Sequence, residues 1–236
     1  MNALSFLAFI VRLQWLDRIA TSAFLVGITL QTGIFALAVF ETSTGPAHAL
    51  ELAVRGGIFS AVGILVFSSM SAITNEVDLG TLENAVLGGL PFSRLVALRA
   101  AATALISSPV IVVPFAAAVL RWPELLSRPA VYLRGFEVYA LSASLGYQLA
   151  WILNSFPSPR AALPWARYLI LLVGMNLLPF EGMRALSLVF PTGWLLAGDS
   201  AGFWICAAAW TLFVRVALEE RVVEGFERRL CDPRRR

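Results

Sequence analysis

Residues 74–99 read TNEVDLGTLENAVLGGLPFSRLVALR. Nowhere else does this chain of 236 residues go so long without an evident apolar span, and the stretch carries Glu76, Asp78, Glu83, Arg94 and Arg99. On both sides of it the chain is greasy: 58% of the residues are hydrophobic and 14% charged, against about 25% charged in a soluble domain. Such a composition belongs in a bilayer. A hydrocarbon core of roughly 30 Å takes about 20 residues of helix to cross, and stretches that serve are residues 19–40, 52–73, 95–120, 131–154, 163–180 and 200–218. Residues 74–94 therefore join the second span to the third, and the fold turns on which side of the membrane they face.

The arginines decide that. A seventh apolar patch, residues 182–198 (GMRALSLVFPTGWLLAG), is interrupted by Pro191 and Gly193. If it crossed, the two termini would lie on opposite sides; with six spans they share one. Arg12 and Arg18 sit near one end, Arg215, Arg221, Arg228, Arg229 and Arg234 to Arg236 near the other, and arginine-rich flanks stay cytoplasmic. The patch is therefore expected to dip into the outer leaflet and return, as a re-entrant segment over 181–199. The outer segments then hold five of the 18 arginines (Arg55, Arg121, Arg128, Arg134, Arg184), which leaves 13 for the inner loops and ends. Residues 1–18 (MNALSFLAFIVRLQWLDR) have no positive residue before the apolar run and no small-residue cleavage signature, so they do not read as a removable signal peptide. They read as a helix lying on the inner surface, with Trp15 at headgroup level, or else as a ragged start to the first span. The expectation is a single all-α integral membrane domain over 1–236, multi-pass in the inner (cytoplasmic) membrane, both termini cytoplasmic and 219–236 a cytoplasmic tail.

Catalysis finds no foothold. Cys206 and Cys231 form neither a disulfide framework nor a metal-ligand spacing, and the single histidine, His48, reads as a solvated residue of the short outer loop ETSTGPAHALE. There is no GxSxG elbow and no HExxH helix, and nothing calls for a nucleic-acid partner. All 18 basic residues are arginine; a chain without lysine cannot build a GxxxxGK[ST] phosphate loop, so it does not hydrolyse ATP by that route. Polar residues within spans include Thr29, Gln31, Gln148 and Asn176. They are candidates for a substrate path, although helix-to-helix hydrogen bonds explain them more readily. Arg134 and Glu137, three apart, are placed to pair at the outer mouth of the fourth span. Pro109 and Pro114 interrupt the third span, and Gly57 with Ala61 and Ser142 with Gly146 offer small faces for close helix contacts.

Residues 74–94 have the grammar of a short helix on a hinge. Gly80 ends the descending span, Thr81 can cap the helix beyond it, and Glu83 in the first turn complements the helix dipole. Leu82, Ala85, Val86 and Leu90 offer an apolar stripe, Gly88 and Gly89 loosen the end, and Pro91 stops it before Ser93 and Arg94 open the next span. Such a helix is a surface for docking a partner; a solvated turn is the plainer alternative. The run EVDLGTLENAVLGGLPFSRLVALR resembles the signature between the second and third spans of type-2 ABC exporter permeases. There a Glu, then Gly-Thr-Leu-Glu, then a Pro and a small polar residue recur at this spacing, matched by Glu76, Gly80, Thr81, Leu82, Glu83, Pro91 and Ser93, with Arg94 and Arg99 at commonly basic positions.

The resemblance implies a transmembrane subunit that pairs with a second permease subunit, as a homodimer or heterodimer, on two copies of a separate ATP-binding subunit. ATP and Mg would be held there, with no cofactor on this chain. It also implies that 74–94 holds a coupling helix, that the helix lodges in the ATPase, and that Glu76 and Glu83 orient it through Arg94 or Arg99. A permease of the cytochrome c maturation type shares a similar loop and remains open. A secondary transporter is the runner-up; it calls for a buried ionisable residue or an inverted repeat, whereas the acids read as clustered at span ends. A membrane-embedded enzyme is disfavoured by the missing catalytic constellation.

Overall fold

The computed structural model describes residues 5, 8, 22–64, 91–155 and 187–230. Among them every element is helical: α1 (Ser22–Thr42), α2 (Pro46–Ile64), α3 (Phe92–Arg121), a 3-10 turn (Pro123–Ser127), α4 (Pro129–Asn154), α5 (Pro191–Leu196) and α6 (Ser200–Leu230). Among the described residues two helical stretches, Ser93–Arg121 and Ser200–Arg221, are long and apolar enough to cross a membrane. Half of the most apolar window of the first is buried, but only 17% of that of the second. A core helix of a soluble protein would be mostly covered. Here α6 leaves Ile205, Leu212, Phe213 and Val216 well exposed, as α1 does Leu30, Ile34 and Leu37.

Contacts at one end of the bundle fix the direction of each helix. Trp122 closes α3 and its indole N–H donates to Ser43 Oγ (3.0 Å), in the link between α1 and α2. The Arg121 guanidinium lies 5.9 Å from the Phe40 ring near the end of α1. Pro123 opens the 3-10 turn, Leu125 of that turn is fully buried, and Pro129 starts α4 a few residues on. Proline suits the first helical position because the N–H it lacks would have no partner there. The ends of α1 and α3 and the starts of α2, α4 and α6 thus share this end. At about 1.5 Å per residue, Ser22, Ile64, Pro91, Ser155 and Leu230 lie at the other.

Small residues set the spacing between helices. Ala49, Ala53 and Ala61 of α2 are fully buried. A Cβ on Gly57 would sit 3.1 Å from Val138 of α4 and 3.2 Å from Phe115 of α3, so α2 approaches both closely, as the Gly57–Ala61 spacing predicts. Ile58, Ile111, Phe115, Leu141, Leu145, Leu195 and Phe203 continue the core. Pro109 and Pro114 lie inside the 30-residue α3, where each removes one N–H from the ladder.

The patch read as re-entrant forms a tight hairpin over residues 187–199. Pro191 is at the start of α5, and Gly198, with φ of 80°, turns the chain out of it; a left-handed backbone favours glycine. At Gly193 a Cβ would stand 2.1 Å from the Ser187 carbonyl oxygen, so no side chain fits there. The expected ends shift in two places. α2 begins at Pro46 rather than 52, so His48 is no solvated loop residue: it sits half-buried in the first turn, its Nδ1 within 3.2 Å of Thr44 Oγ1 and 3.4 Å of the Thr44 nitrogen. Proline at the helix start and this backward cap outweigh the loop-like composition before it. α6 runs on to Leu230, so the segment read as a tail is helical through most of its length.

Candidate functional site

The polar centre of the described structure lies in the first turns of α4. Arg134 and Glu137 stand three apart on one face, and Arg134 Nη1 donates to Glu137 Oε2 at 2.9 Å. The Glu137 side chain is fully buried and that of Arg134 19% exposed. The second arm of the guanidinium, Nη2, donates to the carbonyl of Gly198, where the hairpin turns into α6. Glu137 Oε1 has no hydrogen-bond partner among the described residues. Withdrawing a carboxylate from water costs several kcal/mol, roughly, and a single partner returns only part of it, so such a group calls for an explanation.

Beside Arg134 opens a cleft of about 190 Å³, between the hairpin and the start of α2. Leu50, Val54, Leu195 and Leu196 wall it, and Glu51 and Arg55 lie on its edge. That last pair meets at 2.8 Å with both side chains more than half exposed, and contributes at most about 0.5 kcal/mol as an i,i+4 contact. Deeper between α2 and α4, the fully buried hydroxyls of Ser60 and Ser142 find no partner among the described residues either. Each lies one turn beyond the Gly57–Val138 contact. The arrangement can grip the hairpin, hold a small apolar cleft and keep one acid out of water.

Of the candidate path residues, Gln148 is buried and spends its amide on α6, donating to the Ala207 carbonyl (3.3 Å) and Thr211 Oγ1 (3.2 Å). It joins two helices. Thr29 and Gln31 lie on α1 without described side chains, and Asn176 lies outside the described residues. So do Glu76, Gly80, Thr81, Leu82 and Glu83. Pro91 is exposed and stands just before α3, its carbonyl accepting from Leu95 N at 3.1 Å. Ser93 is half-buried and Arg94 exposed in the first turn; Arg99 lies further along the same helix.

The expected Arg134–Glu137 pair is formed. Missing from the sequence reading are its third member, Gly198, and the cleft. The Gly-Asp step after an apolar run is a signal for the turn, but nothing local tells which helix its carbonyl meets. No protein-family model matches the chain, and neither a curated protein nor a solved structure is significantly similar to it.

Proposed function

We propose that the chain is the transmembrane permease subunit of an ATP-driven exporter of the type-2 ABC kind. It sits in the cytoplasmic membrane through six spans, with both termini inside, and pairs with a second permease subunit on two copies of an ATP-binding partner. The observation that carries the reading is one of placement. Ile64 and Pro91, which bracket the motif-bearing segment, lie at the same end of the bundle as Ser22 and Leu230. That is the end the arginine bias assigns to the cytoplasm. α3 starts at Phe92 directly after Pro91 and runs unbroken for 30 residues, so a partner that moves the segment before it pulls on a helix about 45 Å long. ATP then works by population shift: the bound partner must favour one state of the membrane dimer through contacts that differ between states. The exposed apolar faces and leucine-walled cleft suit an apolar or amphipathic cargo, and the absence of lysine puts ATP hydrolysis on the partner. The cytochrome c maturation type remains the alternative within the class.

The test is loss of coupling. Glu83→Arg reverses a charge where the dipole favours an acid and spoils the electrostatic match with a partner; Leu82→Asp removes apolar contact. Both should lower transport and the ATPase activity of the purified complex together, while membrane insertion and a Glu124→Arg control, on the exposed 3-10 turn outside the cleft, stay at the parental level. Parental activity in both variants would reduce the segment to a connector.

One observation favours a second reading, a secondary transporter. The acids do not all sit at span ends in solvent: Glu137 is fully buried with one oxygen unpartnered, about 12 Å along α4 from Pro129. An isolated chain in liposomes that moves substrate on an ion gradient without ATP would establish it.

A further inference from the structure

Among the described residues, two sets of contacts hold the hairpin of residues 187–199, and they differ in kind. Toward α6 it is bound at several points. The Trp210 indole N–H donates to the Val189 carbonyl (2.6 Å), with the Trp210 ring stacked on Phe190 at 6.1 Å and 3°. Asp199 Oδ1 accepts from Gly202 N (3.0 Å), and Gly202 lies so close under the Trp194 ring that a Cβ there would meet it at 2.1 Å. Its own fold is closed by the Trp194 indole N–H on the Leu188 carbonyl (2.7 Å). Toward α2 and α4 there is apolar packing through Leu195 and Leu196 and the hydrogen bond from Arg134 to the Gly198 carbonyl. The cleft runs along this second, thinner boundary.

We infer that the hairpin is a lid carried on α6 and latched to the α2–α4 body by Arg134, with Glu137 as the post that holds the latch. The guanidinium touches both bodies through hydrogen bonds: one arm is fixed on Glu137, and the other reaches the lid. Glu137 is buried with one oxygen unpartnered, so the burial cost of the ion pair is only partly returned. The closed state therefore rests on a contact that can be given up, unlike the fully paired and stacked seam against α6. Opening separates the lid from Leu50 and Val54, widens the cleft at this end of the bundle and lets Arg134 extend to water, as long basic side chains do at a membrane boundary. Nothing in this device depends on what drives transport.

Reaction of a buried thiol reads the opening. In the full chain, in lipid nanodiscs, with Cys206→Ser and Cys231→Ser as background, Val54→Cys places a thiol on the cleft wall. Ala61→Cys places one two turns along the same helix, away from the cleft. With the latch intact both should react slowly with a small maleimide. Arg134→Ala or Glu137→Gln should speed reaction at position 54 by at least about tenfold, the population change of about 1.4 kcal/mol, and leave position 61 slow. Trp210→Phe, which alters only the seam with α6, should leave position 54 slow. An unchanged rate at 54 in both latch variants, an equal rise at 61, or opening by Trp210→Phe as large as by Arg134→Ala would each overturn the latch.

Discussion

At the scale of single residues, burial separates two ion pairs that look alike in sequence. Glu51–Arg55 and Arg134–Glu137 both join an acid and an arginine within one helical turn, at 2.8 and 2.9 Å. The first lies in solvent and the second does not. Glu137→Ala should therefore destabilise the protein by about 3 kcal/mol, the low end for breaking a buried pair because Arg134 keeps some contact with solvent, whereas Glu51→Ala should cost under about 1 kcal/mol. Unfolding by SDS titration in mixed micelles measures the difference; equal costs would mean that Glu137 is hydrated. Glycine behaves as sharply. Gly198→Ala should cost about 1 kcal/mol for its left-handed backbone, and Gly193→Ala more, since its Cβ would collide with the Ser187 carbonyl at 2.1 Å, backbone that cannot swing away. Thermal unfolding followed by tryptophan fluorescence should rank Gly193→Ala below Gly198→Ala.

At the scale of elements, Gln148 belongs to the α4–α6 seam. Gln148→Leu removes its bonds to Ala207 and Thr211 and should lower stability by roughly 0.6 kcal/mol, the usual worth of such a bond between membrane helices, with transport per folded molecule unchanged. Lost transport at parental stability would instead place Gln148 in the substrate path. Helices were the most legible level of the sequence, because apolar runs of about 20 residues leave few other choices. Pairing of Arg134 with Glu137 was legible for the same reason: it is local, set by helical periodicity. The Gly198 contact was not. It joins positions 64 residues apart, and no periodicity within α4 or α5 carries that information. Helix ends suffered from the opposite problem, since composition changes gradually through Thr44–His48 and past residue 218, while caps and side-chain bonds decide where the ladder stops.

At the scale of the whole molecule, the shared direction of α2 and α4, antiparallel to α3, gives the bundle two unlike ends. One carries the lid, the cleft, Trp122 and the Arg134 latch; the other carries Pro91, Ser155 and Leu230. Ser155 lies at this second end and Ser187, beside Gly193 of the hairpin, at the first. Both functional readings rest on these ends facing opposite sides of a membrane, and the ATP-driven one further requires the Pro91 end to face the cytoplasm. Labelling in intact cells and in inverted vesicles tests that most directly, with Asn84→Cys and Glu124→Cys each placed singly in the background without native thiols. A membrane-impermeant maleimide should reach position 124 only in intact cells and position 84 only in inverted vesicles. Labelling of position 84 from the outside would contradict the ATP-driven reading, because no cytoplasmic ATPase could then reach residues 74–94; labelling of both positions from the cytoplasmic side would contradict both readings, because the two ends of the bundle would then share one side.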